Sequence, residues 1–326
     1  ALKPLGLFRV FRSWPFLATI FLLGVNTLTC TVLHLLREGG VSALKGPRAI
    51  ERVGFLLVHL SLMGLFSGGF WSAAARSDGF MVLTEGQRGL LAHQNGYFRL
   101  LRGRFRPERD EEFLVFLKKV HVEYERKRYP IAVTSNLEIL SQGREAAEGE
   151  VKFNEPFTHN GLTFTQRETG FSPRLVIRDK GSGRLLLDSF VALKTFGKGG
   201  EREYRDFLPL PFFKQRVIIT LYPSFSRDND TVRKAGDEPD SPLLLIEMED
   251  GSGRVVSHGH LPAGGRLALG EYSFLFAGLR RWAAFQVVQD PGYAIVMVSL
   301  WLGMGALVLR YLPDLGRWFK EEPVRR

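Results

Sequence analysis

Cysteine is almost absent from the sequence: Cys30 is the only one in 326 residues. A single thiol cannot form a disulfide within the chain, and no C-x-x-C or C-x-x-C-H motif can occur. The chain is therefore neither a thiol–disulfide carrier nor a c-type cytochrome with covalently attached haem. Cys30 lies inside an apolar run, where we interpret it as a small packing residue.

Charged residues are missing from three long stretches. Residues 13–36, 53–75 and 291–309 contain no Asp, Glu, Lys or Arg, and each stretch has 19 residues or more. A helix of that length can cross a hydrocarbon core of about 30 Å. None is a cleavable signal, because the first run is too long and no small-residue cleavage site follows it. The sequence predicts a multipass α-helical membrane protein with three spans in view.

The basic excess lies mainly beside these runs. Most of the net charge of +10 comes from residues 1–12, 37–52 and 310–326, which hold twelve Lys or Arg and five Asp or Glu. Basic flanks of spans indicate orientation and a lipid bilayer, not nucleic acid. The positive-inside rule places 37–52 and the C-terminal tail in the cytoplasm. Because the first residue then lies outside, we expect an odd number of spans upstream of Ala1.

These patterns divide the chain into two membrane parts and one outer part of a protein of the cytoplasmic (inner) membrane. The parts are residues 1–72 with two transmembrane helices (about 13–36 and 53–72) and a short cytoplasmic loop, residues 73–290 as a large extracytoplasmic β-rich domain, and residues 291–326 with a third transmembrane helix (about 291–310) and a cytoplasmic tail.

The outer part has the pattern of a β-sheet protein. Short runs rich in Val, Ile, Phe and Leu alternate with Gly, Asn, Asp and Pro, which is typical of strands and turns. Residues 177–187 and 246–256 both place Gly-Ser-Gly-Arg between apolar stretches, and this predicts a tight hairpin turn in each. We expect a β-sandwich or an open barrel. One short helix is predicted over residues 107–120.

Several aromatic and imidazole side chains lie near the ends of the predicted spans. Trp14, Trp71, Trp282 and Trp318 are predicted to form an aromatic belt at the membrane interfaces. His34 lies one helical turn from Arg37, so we interpret it as an interfacial residue.

His59 is the one ionisable residue inside the second run. A titratable group at membrane depth is a functional-site hypothesis by default. It lies about 9 Å from the cytoplasmic end of the run, counted from Val53 at 1.5 Å per residue. A neutral imidazole is a good axial ligand for haem iron, and five apolar side chains around it would suit a porphyrin: Phe55, Leu56, Leu62, Met63 and Phe66. A histidine that hydrogen-bonds a neighbouring helix explains the residue equally well.

Other polar residues give weaker signals. His258 and His260 would point to one face of a strand, but a metal site needs further ligands, and exposed turn residues are the simpler interpretation. The Gly-Ser-Gly-Arg segments lack the strand–loop–helix context of a phosphate-binding loop. No catalytic triad or carboxylate pair can be recognised from spacing, so the sequence predicts no self-contained catalytic site.

Several segments together resemble a known family, the ResB (CcsB) family of the system II cytochrome c maturation pathway. The segments are Ser13-Trp-Pro-Phe16 with Asn26 and Cys30, Gly54-Phe-Leu-Leu-Val-His59, Val120-His-Val-Glu-Tyr124, Ser135-Asn-Leu-Glu138, Phe153-Asn-Glu-Pro156 with Gly161-Leu-Thr-Phe-Thr-Gln166, and Gln289-Asp-Pro-Gly292. Family members usually have one more span upstream, which fits the span expected before Ala1, and the chain departs from the family in carrying Thr165 where an aromatic is usual.

The resemblance implies a function. Family members work with a ResC/CcsA-type membrane protein to carry haem b across the membrane and deliver it to apocytochrome c outside. The family's intramembrane haem ligand falls on His59, which would be an axial ligand to the iron of haem in transit. The chain would then be a component of a haem-attaching synthase whose covalent chemistry depends mainly on the partner. The alternative is a membrane-anchored β-domain that acts as a scaffold or ligand-binding module without haem.

Overall fold

The structure is a computed structural model. It describes residues 10, 13–37, 39–40, 45, 49–91, 98–103, 105, 113–126, 129–141, 143–197, 202–211, 213, 215–228 and 231–321, with backbone only at 129, 227, 228, 231 and 313–321. The chain forms two compact units. A helical unit comprises residues 1–78, 101–108 and 288–326, and a β unit comprises residues 79–100 and 109–287.

The described part of the helical unit contains three helices, α1 (Trp14–Arg37), α2 (Ala49–Ala75) and α3 (Tyr293–Glu321). By length and composition, α1, α2 and the segment Tyr293–Leu312 of α3 could each cross a membrane. No residue of α1 is buried, and large apolar side chains such as Phe21, Val298 and Trp301 are more than 60% exposed. Such surfaces suit hydrocarbon rather than water. The prediction of three apolar helices is confirmed.

Local capping explains where two of the helices begin. The backbone N–H of Phe16 donates to Ser13 Oγ at 3.4 Å before α1. Before α3, the N–H of Gly292 donates to Asp290 Oδ1 at 3.1 Å. Both oxygens satisfy N–H groups that have no partner inside the first helical turn. Asp290 also accepts a 2.7 Å hydrogen bond from Ser72 Oγ, so the same carboxylate ties the start of α3 to the end of α2.

Helices α2 and α3 pack antiparallel through small residues. A Cβ atom at Gly54 would lie 2.8 Å from the Arg310 Cα, and one at Gly68 would lie 2.9 Å from Val296 Cγ2. On α3, a Cβ atom at Gly303 would lie 2.8 Å from the Oγ of a serine on α2, Ser61. Close backbone approach at small residues is a typical way for membrane helices to associate. These contacts fix the register of the two helices.

The β unit is built from strands with the following bounds: β1 Ser77–Thr84, β2 Arg88–Leu90, β3 Arg99–Leu101, β4 Phe113–Glu125, β5 Tyr129–Ser141, β6 Arg144–Lys152, β7 Phe157–His159, β8 Leu162–Asp179, β9 Leu185–Phe190, β10 Lys194–Phe196, β11 Glu203–Leu208, β12 Arg216–Tyr222, β13 Ser224–Asp228, β14 Thr231–Gly236, β15 Leu243–Glu249, β16 Val255–Pro262, β17 Arg266–Leu269 and β18 Tyr272–Gln289. The large β-rich region predicted from the sequence is confirmed.

Four sheets arise from these strands. A seven-stranded sheet has the order β3-β1-β18-β8-β7, with β17 paired to β18 and β9 to β8. The others have the orders β10-β11-β12-β15-β16, β2-β4-β5-β6 and β13-β14. Two apolar cores result: Phe171 and Phe274 lie in one, and Phe164 and Phe285 lie in the other. The long strands β8 and β18 contribute to both cores and so join them.

Two predictions for the β unit were wrong. The helix predicted over 107–120 is strand β4 from Phe113 onward, and residues 107–112 lie outside the described residues. Phe113, Val115 and Leu117 are buried at every second position, which is strand periodicity. Trp282 is no interfacial anchor, because it is 5% exposed in β18 and its Nε1–H donates to the Leu193 carbonyl at 2.9 Å.

Both predicted Gly-Ser-Gly-Arg hairpins are confirmed, joining β8 to β9 and β15 to β16. An aspartate organises each turn. Asp179 Oδ1 accepts from the N–H and hydroxyl of Ser182 at 2.7 and 2.6 Å, and Asp250 Oδ1 accepts from those of Ser252 at 2.9 and 2.6 Å. These bonds favour the ionised carboxylates.

We expect the carboxyl pKa of Asp250 to lie below its ordinary value, chiefly because of the hydrogen bond from the Ser252 hydroxyl. A lowered folded-state pKa gives stability that is present above the ordinary value and is lost as the pH falls through the lowered one. In an NMR titration, Ser252→Ala should move the Asp250 pKa upward. Asp179, whose pKa is lowered by its own serine, is the internal control and should not move. An unchanged Asp250 titration would contradict the assignment.

Candidate functional site

The imidazole of His59 lies half-buried on α2, and its orientation is fixed by the helix backbone. Its Nδ1 is 2.9 Å from the carbonyl oxygen of Phe55, one turn earlier. Since a carbonyl oxygen can only accept, Nδ1 carries the proton and donates. In the neutral imidazole, the other nitrogen, Nε2, then keeps its lone pair. A hydrogen bond of this kind is how proteins select the ring nitrogen that binds a metal.

The ring of Phe55 contacts two imidazoles from different helices. Its centroid is 4.0 Å from that of His59 and 4.2 Å from that of His34 on α1. From the sequence, His34 was interpreted only as an interfacial residue. No local signal places it beside Phe55, because the contact depends on how α1 packs against α2.

Arg310 completes this group from α3. Its guanidinium carbon lies 5.4 Å from the centroid of the Phe55 ring, and Nη1 donates to the Glu51 carbonyl at 3.3 Å. The helix backbones come so close here that Gly54 leaves no room for a side chain. From the sequence, Arg310 was recognised only as one of the basic flanking residues. We call His34, Phe55, His59 and Arg310 the imidazole cluster.

The other four apolar side chains predicted around His59 lie near it along α2. Leu56, Leu62, Met63 and Phe66 lie within seven positions of it on the helix and are half-buried. Spacings of three and four residues place Leu56, Leu62, Met63 and Phe55 beside the imidazole on one helix surface. The neighbourhood of His59 is therefore aromatic and aliphatic, with the Arg310 cation at one side.

The donor set fits a haem better than a bare metal ion. No group of three or more His, Cys, Asp or Glu able to hold a metal ion occurs in the part of the chain that the structure describes. A haem brings four nitrogens to its own iron and needs only one or two axial ligands from the protein. One imidazole with a free Nε2, in apolar surroundings, meets that requirement. His258 and His260 lie exposed on β16 and belong to no such group.

A buried carboxylate forms a second polar cluster, inside the β unit, that sequence reasoning missed. Asp237 is fully buried, and Lys234 Nζ lies 2.5 Å from its Oδ1. The pKa of the neighbouring Tyr204 phenol is raised by burial and by the charge of Asp237. Removing one partner of a buried ion pair leaves an uncompensated charge, so we interpret the cluster as structural.

Comparisons with known proteins agree with the resemblance seen in the sequence. The family model of the ResB-like family matches residues 34–319. Over 187 residues the chain is 27% identical to the cytochrome c biogenesis protein CcsB of Prochlorococcus marinus (strain MIT 9303), covering 57% of this chain and 39% of that protein. The chain thus spans less than half the length of this relative.

Among solved structures, the cytochrome c haem lyase CcmF matches 94% of this chain and 33% of its own, with 14% identity. The TM-score is 0.33, which is too low to indicate a shared fold. The family match alone covers most of the chain, including most of the helical unit and the whole β unit. The chain belongs to the ResB-like family.

Proposed function

We propose that the chain is a membrane subunit of cytochrome c biogenesis that binds haem b at His59 and helps carry it across the membrane to apocytochrome c. The observation that carries this proposal is the fixed imidazole of His59, whose Nδ1–H is engaged by the Phe55 carbonyl at 2.9 Å. Among the described residues this is the one hydrogen bond of the ring, and in the neutral imidazole Nε2 carries the lone pair. Membership of the ResB-like family and the similarity to a CcsB protein support it.

The residues around His59 would bind and protect the cargo rather than transform it. His59 Nε2 would supply a ligand to the iron, and the hydrogen bond from Nδ1 to the Phe55 carbonyl would hold the ring in place. The apolar side chains on the same helix would exclude water from the iron. They cannot bind the charged propionates, which would need polar groups elsewhere. Haem held in this way stays non-covalent, which agrees with a chain that has no C-x-x-C-H motif.

The proposed function requires a particular topology. Residues 37–52 and the C-terminal tail lie in the cytoplasm, and the β-rich region at 73–290 lies outside the inner membrane. His59 then sits nearer the cytoplasmic side, where haem would arrive. A ResC/CcsA-type membrane protein would take over the haem, and the β-rich region would hold apocytochrome c. The thioether bonds would form mainly on the partner.

Haem binding by the purified full chain tests the function. In maltoside micelles, titration with haem should give a saturable Soret band at one haem per chain, and acidified solvent should extract all of the haem. This outcome is expected because one imidazole with a free Nε2 is available and no cysteine motif is present. The absence of saturable binding would contradict the proposal and favour the scaffold alternative, in which the β-rich region assembles other proteins without haem.

A further inference from the structure

We propose that Arg310 forms a carboxylate-binding site beside His59 and takes a propionate of the haem that His59 binds. This inference rests on the proposed function and adds the residue that would recognise the charged propionate edge of the haem. A haem is an amphipathic ligand: its iron and ring suit an apolar site, but its two propionates are anions. A binding site inside a span therefore needs a cation at one end.

The position of the guanidinium is the first support. It lies 5.4 Å from the centre of the Phe55 ring, and that ring is 4.0 Å from the ring of His59. One aromatic side chain thus lies against both the candidate iron ligand and a cation. A guanidinium over an aromatic face is held in place by cation–π attraction, and its edges remain able to donate hydrogen bonds.

The helix register gives the second support. The Arg310 backbone is level with Gly54, where a Cβ atom would lie 2.8 Å from the Arg310 Cα. His59 is five residues further along α2, which corresponds to about 7.5 Å along the axis at 1.5 Å per residue. This offset is comparable with the reach from a haem iron to a propionate carboxylate. The register therefore suits a haem whose plane runs along α2.

The chemistry of arginine gives the third support. A guanidinium has five N–H donors in a planar fork that matches a carboxylate in two parallel hydrogen bonds. Within the described residues, Arg310 donates one side-chain hydrogen bond, to the Glu51 carbonyl at 3.3 Å. The charged groups on the facing end of α2 are Glu51 and Arg52, and Arg37 ends α1. Donors of Arg310 thus remain for a bidentate carboxylate.

A lipid phosphate shares this anion chemistry, so the test must separate the two sources. The full chain in phosphate-free maltoside micelles is titrated with haem and with haem dimethyl ester, in which both propionates are neutral. The variants are Arg310→Gln, Arg310→Lys and, as the matched control at the end of another span, Arg37→Gln. Bound phospholipid is quantified in each preparation, and thermal midpoints check that each variant is folded.

We expect the wild type to bind haem more tightly than the diester, and Arg310→Gln to lose about ten- to a hundred-fold of haem affinity, as for a hydrogen bond to a charged group. Affinity for the diester should not change, and the Soret position should be kept because His59 still binds the iron. Arg310→Lys should recover part of the loss, since it restores the charge without the fork. Arg37→Gln should behave as wild type.

Four results would overturn the inference. Equal wild-type affinity for haem and diester would show that no propionate is recognised, although the proposed function would stand. If Arg310→Gln lost bound phospholipid but kept its haem affinity, the guanidinium would bind a lipid headgroup instead of a propionate. A parallel loss of haem and diester affinity would show that Arg310 only supports the fold. If the wild type binds neither ligand, the proposed function fails together with this inference.

Discussion

His59→Ala is expected to abolish the Soret band of the haem-loaded chain, or to shift it to that of a weakly ligated haem. The imidazole would supply the axial ligand through Nε2. Of the neighbours within one turn on α2, Phe55, Leu56 and Leu62 have no ligand atom, and Met63 could offer only a thioether sulfur. Loss of an outer partner of a metal ligand already costs about 10- to 100-fold in affinity, so loss of the ligand should cost more. The measurement is a haem titration in maltoside micelles.

Rescue by free imidazole distinguishes a lost ligand from a damaged fold. The cavity left by the truncated side chain should admit free imidazole. This imidazole would bind the iron in place of the missing side chain and restore the Soret band. His258→Ala is the matched control, because it removes an exposed imidazole on β16 in the β unit and should titrate as wild type. If His59→Ala kept an unchanged spectrum and affinity, the ligand would lie elsewhere and His59 would be a packing residue.

Gly68→Leu is expected to disrupt the packing of α2 against α3. A Cβ atom there would already lie 2.9 Å from Val296 Cγ2 and 3.0 Å from the Val296 backbone nitrogen, and backbone atoms cannot rotate away. Overpacking of this kind costs about 1–3 kcal/mol, and more where the backbone must move. We expect a lower thermal midpoint, measured by size-exclusion chromatography of heated samples. We also expect a weaker preference for haem over its dimethyl ester, because Arg310 on α3 would shift relative to α2.

The adjacent residue supplies a control with the same change of side chain. A Cβ atom added at Gly69 would have no neighbouring atom within 4 Å, so Gly69→Leu meets open space on the outer surface of α2. Replacing a helical glycine by leucine gains at most about 1 kcal/mol of helix propensity, so this variant should be as stable as wild type or more so. Equal destabilisation by both substitutions would show that the clash with α3 is not the cause.

Some features of the protein were determined by local sequence. Runs without charge specify apolar helices because each buried or lipid-facing peptide group is satisfied inside its own segment. The two Gly-Ser-Gly-Arg turns were predictable for the same reason: an aspartate, a serine and a glycine with positive φ close each hairpin with their own atoms, as at Gly183 and Gly253. The position of His59 within a span was also visible, because an ionisable residue there stands out against its neighbours.

The strand at 113–120 and the position of Trp282 required the tertiary structure. A short segment with apolar residues close together fits either periodicity, and pairing with β5 made it a strand. From its place before the third apolar run, Trp282 was predicted to be a membrane anchor. Its hydrogen bond to Leu193 depends on a residue that is distant in sequence.

The composition of the imidazole cluster was likewise decided by packing. His59 and its helix neighbour Phe55 could be singled out from the sequence, but His34 and Arg310 come from two other helices and meet Phe55 only in the folded helical unit. Small residues at Gly54, Ser61 and Gly68 set that register by how closely backbones can approach. The sequence by itself determined the helices, the titratable residue and its neighbours on α2, whereas the groups that approach from α1 and α3 follow from non-local contacts, which no single segment encodes.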